Sequence, residues 1–244
     1  MRIKRNLKNF YDKNGYVVIK NLINQKEIKK IKSSLYKHIN KNLSSFKGRD
    51  VAIIKNTKTI SSIHNLKKWT QVKSIQNSKK IQNLAKIFLK SKVKNFGAEL
   101  FAKPAKIGLP APIHQDNHYW HLIDDKGITL WIALDNSNKK NGAVFYYKGS
   151  HKLGLLEHKL SKVTGLSQEL KYKDILKYFK KTTPELKVGD ALIHNCMIIH
   201  GSNRNKSQNS RIVLTMRFIS SSNKFNIINK KKYESELRKV LKNQ

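Results

Sequence analysis

The sequence predicts a β-rich α+β fold, and three observations carry that prediction. From Val93 onward, short stretches of alternating apolar and polar residues are punctuated by Gly, Pro, Asn and Asp, the pattern of brief strands joined by turns. Before Val93, two segments repeat their apolar residues at helical spacing. Near the end, Tyr233, Leu237, Val240 and Leu241 recur as one face of a closing helix.

Taken in order, Tyr16 to Leu22 reads as a short β-branched strand after the Lys13-Asn14-Gly15 turn. From Gln25 to about Lys41, Ile28, Ile31, Leu35 and Ile39 predict a helix, and Ile81, Leu84, Ile87 and Phe88 predict a second. Leu43 to Lys79 is polar and shows no period. Strands are predicted at Asn95–Ala102, Pro112–Trp120, Ile128–Leu134, Ala143–Lys148, Asp190–His194, Met197–His200 and Arg211–Ile219. Asn141-Gly142 predicts a hairpin turn, since both residues tolerate positive φ, and Gly149-Ser-His151 a structural loop. Leu160–Lys181 is expected to hold a helical insertion with Leu170, Ile175, Leu176 and Phe179 on its apolar side. There is no internal repeat, so residues 1–244 are read as one domain.

A chain of 244 residues buries a substantial core without disulfides, and its single cysteine, Cys196, forms none within the chain. Cys196 reads as a small buried hydrophobe. No apolar run approaches the length needed to cross a bilayer, and Met1 to Leu22 lacks a signal-type apolar core. The expectation is a cytoplasmic protein. The formal charge of +36 admits two explanations. Lys and Arg clusters neutralise phosphates, which would suit a nucleic acid. Yet only 7 of the 51 basic residues are Arg, and Lys, Asn and Ile make up 94 of 244 residues. Charge spread this way reflects the amino-acid bias of an AT-rich genome better than a nucleic-acid reader. The field exists whatever its origin, so attraction for a small anionic substrate is expected.

The chemistry concentrates in two places. In a regular strand, residues i and i+2 project from one face, so His114 and Asp116 of His114-Gln115-Asp116 can meet one metal ion. A histidine from a distant strand would complete the two-His-one-carboxylate set of non-haem Fe(II) oxygenases. His194 and His200 are both candidates, and alternation does not choose between them. Many short strands around such a site suggest a double-sheet jelly roll of the cupin type. Arg211 offers a planar, permanently charged fork suited to a carboxylate.

Several further segments surround these residues: Pro110 to Trp120, Ile128 to Asp135, Asn141 to His151, Val188 to His194 and His200-Gly201-Ser202. With Phe10 to Leu22, they resemble the phytanoyl-CoA dioxygenase family of Fe(II)/2-oxoglutarate enzymes, over about Phe10 to Phe218. The resemblance narrows the fold to a double-stranded β-helix flanked by N-terminal and C-terminal helices. It also implies a reaction that consumes 2-oxoglutarate and O2, hydroxylates a small molecule and releases succinate and CO2. The segment from His200 to Arg211 matches the family's metal-to-arginine stretch, so His200 becomes the third ligand and His194 a core or supporting histidine. The resemblance further implies that Arg211 and Ser202 bind the remote carboxylate of 2-oxoglutarate and that Trp131 walls its pocket. Lys103 occupies a family-like position but is one lysine among 44. Related halogenases lack the carboxylate ligand; Asp116 is kept here, which favours hydroxylation. His118, sharing the Asp116 face in a regular strand, is a candidate substrate contact, and Gln115 should face away.

Three other readings compete, one of them a cupin that uses another divalent metal, which Arg211 disfavours. Arg211 and Arg217, six residues apart, also resemble the spacing of AlkB-type nucleic-acid dealkylases. Against that, Asn117-His-Tyr-Trp120 lacks the acidic residues that usually follow the AlkB H-x-D. A non-catalytic, anion-binding or nucleic-acid-binding jelly roll would have no use for the intact ligand set.

Overall fold

The computed structural model describes residues 2–46, 50–64, 66, 69–161 and 168–242. The chain runs α1 (Arg2–Asn14), β1 (Tyr16–Ile19), α2 (Gln25–Asn42), β2 (Val51–Ile53), β3 (Ile60–Ile63), α3 (Thr70–Asn77) and α4 (Lys79–Leu89). It continues through β4 (Val93–Lys103), β5 (Ala111–His114), α5 (Asn117–Trp120), β6 (Gly127–Ala133), β7 (Val144–Tyr147), β8 (His158–Leu160) and β9 (Gln168–Leu170). It closes with β10 (Lys181–Thr182), β11 (Ala191–Asn195), β12 (His200–Ser202), β13 (Arg211–Ser220) and α6 (Ile227–Lys242).

Two sheets face each other: a larger one ordered β1-β11-β6-β13-β4-β3-β2 and a smaller one ordered β10-β7-β12-β5. All their pairings are antiparallel. Strand alternation sorts the side chains of the larger sheet. Ile128, Leu130 and Ile132 of β6, Ile193 of β11, and Leu214, Met216 and Phe218 of β13 form its outer face, packed under the helices. Trp131, Ala133, Leu192 and Val213 face inward and meet Tyr146 and Ile198 from the smaller sheet's side. This is the double-stranded β-helix with its interior between the sheets, as predicted.

The helix α2 buries Ile28, Ile31, Leu35 and Ile39 and starts on an Asn24–Glu27 capping box. In α4, Ile81 and Phe88 are buried as expected, with Leu84 and Ile87 packed at the edge. The helix α1 was not predicted. Its Tyr11 and Leu7 reach the core, but Lys and Arg at five of its thirteen positions obscure the stripe. The unassigned region after α2 supplies β2 and β3, which extend the larger sheet beyond β4, and α3. The closing helix α6 forms where expected, although the side chains of Leu237, Val240 and Leu241 lie outside the described residues.

Two expectations are corrected. In place of a helix over 160–181, the described residues form the β8–β9 hairpin and a five-residue 3-10 helix at Asp174–Tyr178, with 162–167 outside the described residues. Leu170, Ile175, Leu176 and Phe179 do pack together, but against Phe145, Tyr147 and Ile199 of the smaller-sheet layer. Asn141-Gly142 makes a turn, with Gly142 at φ +83°. That turn joins strands of different sheets, because β6 pairs with β11 and β13 while β7 pairs with β10 and β12.

Candidate metal centre

Antiparallel pairing of β12 with β5 sets His200 directly opposite His114, with ring centroids 4.3 Å apart. His114 Nδ1–H donates to Pro112 O at 2.7 Å, and His200 Nδ1–H donates to Ile198 O at 3.0 Å. Carbonyl oxygens only accept, so each Nδ1 carries a proton, and in a neutral ring that leaves Nε2 with the lone pair a metal would take. Backbone acceptors that fix the tautomer in this way are a common feature of metal-binding imidazoles. Burial, followed by the neighbouring His114, pushes the pKa of His200 down to about 3, so the ring is neutral.

Asp116 arrives differently from the sequence expectation. The strand β5 stops at His114, and Asp116 has helical backbone angles (φ −57°, ψ −36°) at the entry to α5. Convergence therefore comes from a strand-to-helix turn, not from strand alternation. Gln115 anchors the turn: its Nε2 donates to Met197 O and Gly154 O, and its Oε1 accepts from Leu156 N. It faces away from the cluster, as expected. Asp116 Oδ1 lies 3.7 Å from His114 Nε2 and 3.6 Å from His200 Nε2, and the three donor atoms all fall within 4.8 Å of one another. Two lone-pair nitrogens and one carboxylate oxygen fit a ferrous ion with open positions.

The other carboxylate oxygen is engaged. Oδ2 accepts from Thr129 Oγ1 at 2.6 Å and from His194 Nε2–H at 3.0 Å. His194 Nδ1 in turn accepts from the Tyr146 hydroxyl at 2.9 Å. His194 thus lies behind the cluster, and the chain Tyr146–His194–Asp116 leaves Oδ1 alone to face the metal position. Burial works against ionisation of Asp116, but the surrounding imidazoles, His114 and His194 foremost, hold its carboxyl well below the ordinary range. Thr129 and Tyr146 were missed in the sequence. Thr129 lies two residues before Trp131 on the inward face, but linear spacing alone does not single it out.

Arg211 opens β13 and pairs in register with Lys103, the last residue of β4. Its side chain is 2% exposed. Nη2 donates to Gly142 O at 3.0 Å, the guanidinium lies 5.3 Å over the Trp131 ring, and Nε is buried without a partner. Burial lowers the Arg211 pKa to about 10, which leaves it charged at neutral pH. Lys103 Nζ donates to Leu109 O at 2.5 Å and Asn203 O at 2.6 Å. Burial, then the charges of Arg211 and Arg204, push its pKa down to about 6. A Cβ on Gly142 would lie 2.7 Å from Lys103 Cδ, so glycine here lets the lysine chain pass close to the turn. Two buried cationic groups and an orphaned guanidinium N–H suit an arriving carboxylate. Ser202 is buried on β12 two residues beyond His200.

Three other sequence candidates resolve as follows. His118 lies in α5, stacked on His158 at 4.2 Å and edge-on to Tyr233 at 5.9 Å. Arg217 pairs with Glu99 at 3.5 Å, away from Arg211. Cys196 is fully buried, packed with Trp120 and Met197. Among the described residues, no helix is long and apolar enough to cross a membrane.

Comparison with known proteins agrees with this geometry. The model of the family "Phytanoyl-CoA dioxygenase (PhyH)" matches residues 11–213. Peroxisomal phytanoyl-CoA dioxygenase of Homo sapiens is 26% identical over 226 residues, covering 87% of this chain and 67% of the relative. The Bos taurus enzyme is 25% identical over 224 residues, covering 86% and 66%, so the chain spans about two thirds of the length of these relatives. A probable alpha-ketoglutarate-dependent hypophosphite dioxygenase of Stutzerimonas stutzeri is 28% identical over 139 residues, covering 56% of this chain and 48% of that protein. Among solved structures, iron-bound EctD from S. alaskensis superposes with TM-score 0.75 at 18% identity, covering 90% of this chain and 77% of that one. The matching family model is of the phytanoyl-CoA type. The chain belongs to the phytanoyl-CoA dioxygenase family of non-haem iron, 2-oxoglutarate-dependent oxygenases.

Proposed function

We propose that His114, Asp116 and His200 hold Fe(II), that Arg211 and Lys103 receive the remote carboxylate of 2-oxoglutarate, and that the product is a hydroxylated small molecule released with succinate and CO2. The observation that carries the reading is the convergence of two imidazoles, each anchored through Nδ1, and one carboxylate oxygen on a single point. Bound iron would supply activation of O2 through oxidative decarboxylation of 2-oxoglutarate; the protein supplies position and dryness. Tyr146, His194 and Thr129 keep Asp116 to one metal-facing oxygen, which leaves room for cosubstrate and oxygen. Trp131 forms the wall against which the Arg211 guanidinium lies, and Ser202 adds a hydroxyl on the His200 strand. Retention of Asp116 favours hydroxylation over halogenation. His118, wedged between His158 and Tyr233, supports α5 beneath Asp116 in this reading. The whole chain of 244 residues acts as one oxygenase domain, and a lone buried Cys196 accords with the reducing cytoplasm.

Anaerobic titration with Fe(II) and 2-oxoglutarate should develop the visible charge-transfer band of the chelate, and air should then yield succinate. Absence of both in wild-type protein would overturn the reading.

A further inference from the structure

A second charged group lies on the inward face of the larger sheet and takes no part in the chemistry above. On β4, Glu99, Phe101 and Lys103 alternate inward, with Lys103 beside Arg211 and Glu99 beside Thr215. Four residues of strand separate Lys103 from Glu99, about 13 Å. Across β13, Thr215 is flanked by Trp131 and Arg217 by Thr129, whose hydroxyl reaches Asp116. Glu99 therefore stands one strand beyond the metal cluster, at the opposite end of the interior from the two cations.

Its environment is lopsided. Oε1 takes the hydrogen bond from His64 Nδ1 at 3.1 Å and the ion pair with Arg217 at 3.5 Å. Oε2 has no hydrogen-bond partner among the described residues, and the side chain keeps 14% exposure. A carboxylate present only to fix an arginine is best served by two parallel bonds. Here Arg217 is confined to one side: a Cβ on Gly97 would lie 2.4 Å from its Nη2, and its guanidinium lies over Phe96 and Trp120 at 5.6 and 5.9 Å. Burial disfavours the charged form of Glu99, but Arg217 and His64 outweigh it and keep the group anionic. The interior is thus polarised along the β4–β13 pair, with the buried, partly unpartnered Arg211 guanidinium at one end and a half-used carboxylate at the other.

We propose that Glu99 is the substrate-orienting residue, with Oε2 receiving a protonated amine of the substrate. The proposal rests on the oxygenase reading above and names its substrate class. The overall charge of +36 would favour an anion, but the interior sorts charge locally. The dicarboxylate cosubstrate goes to Lys103 and Arg211, which repel an amine, and Glu99 attracts it, so the substrate enters in one orientation.

The test uses the full chain with straight-chain aliphatic compounds of graded length, each skeleton supplied as primary amine, alcohol and carboxylate. Succinate release is measured with Fe(II) and 2-oxoglutarate in air. Binding without turnover is followed as thermal shift of the Co(II)/2-oxoglutarate form under argon. Amines are expected to bind at least about tenfold more tightly than alcohols of the same skeleton, to stimulate succinate release, and to exceed the carboxylates in both assays. Glu99→Gln should erase the amine-over-alcohol gap. Glu99→Asp, which keeps the charge but withdraws it by one methylene, should move the length optimum to a longer amine; it decides the matter if Glu99→Gln does not fold. Alcohols or carboxylates binding as well as amines, or an amine preference that survives Glu99→Gln, would overturn the proposal. Succinate formed without any amine effect would also overturn it while leaving the oxygenase reading intact. No succinate and no 2-oxoglutarate chelate under any condition would remove both.

Discussion

The proposed metal end and the proposed cosubstrate end of the interior solve opposite problems. Around Asp116, the chain supplies its own partners: Pro112 O and Ile198 O fix two imidazoles, while Thr129 and His194 hold the carboxylate. Around Arg211, two cations lie side by side with backbone carbonyls as their hydrogen-bond acceptors, and one guanidinium N–H is left over. The first region is preorganised, so an ion entering it meets lone pairs already aimed. The second is incomplete: a buried guanidinium N–H lacks a partner and burial disfavours the charge of Lys103, and both are answered only when an anion arrives. Preorganisation predicts that metal binding does not require cosubstrate, whereas 2-oxoglutarate binding should raise the melting temperature markedly on its own account.

Breaking the metal end should have the largest effect. Asp116→Ala removes the one anionic ligand and should abolish succinate formation, with metal affinity falling by more than about 100-fold, since loss of a ligand exceeds the roughly 10–100-fold cost of losing an outer partner. Equilibrium titration with Co(II) measures the affinity, and full turnover by this variant would remove Asp116 from the ligand set. At the other end, Arg211→Ala should leave metal affinity nearly unchanged and raise the half-saturating 2-oxoglutarate concentration about 10–100-fold, the value of a charge-assisted contact. An unchanged requirement would place the carboxylate elsewhere.

This contrast was only partly visible in the sequence. The helix α2 was legible because Ile28, Ile31, Leu35 and Ile39 repeat cleanly among lysines, and the inner and outer faces of β13 follow from simple alternation. His114, Asp116 and His200 were legible as a set, but for Asp116 the assumed strand geometry was wrong: Gln115, tied to Met197, Gly154 and Leu156, bends the chain into α5. The helix expected over 160–181 failed because apolar spacing around Ile175 and Leu176 fits a 3-10 turn as well as an α-helix. Lys103 was hidden by composition, since one buried lysine among 44 carries no signal until its register partner, Arg211, is known.

His194→Phe sharpens the comparison from the metal side. The ring is replaced at similar shape, but Asp116 Oδ2 loses one of its two donors and the Tyr146 hydroxyl loses its acceptor. Metal affinity should fall about 10–100-fold, and the Co(II) absorption spectrum should change as the carboxylate gains freedom to turn. The requirement for 2-oxoglutarate, measured at saturating metal, should move far less. An unaltered Co(II) spectrum would reduce His194 to core packing.

The smallest effect, and the most specific to the cation end, is a pH dependence of cosubstrate binding. With its pKa near 6, Lys103 is mostly neutral at pH 8 in the free protein. A neutral amine has two N–H bonds, and both are used on Leu109 O and Asn203 O. A carboxylate placed beside Nζ favours the protonated form and raises the pKa, so binding takes up a proton whenever the pH lies between the free and bound values. The sign follows: affinity for 2-oxoglutarate should rise as pH falls from 8 toward 6, by at most about tenfold per unit, and flatten below 6 where the free protein is already protonated. Arg211, with its pKa near 10, stays charged throughout that range and adds no slope. Calorimetry of the Co(II) form in buffers of different ionisation enthalpy reads the proton uptake directly. Lys103→Met should remove both slope and uptake, so the variant should bind 2-oxoglutarate more weakly than wild type at pH 6 and lose most of that difference by pH 8. A wild-type affinity that stays flat between pH 6 and 8 would mean that Lys103 does not share the carboxylate.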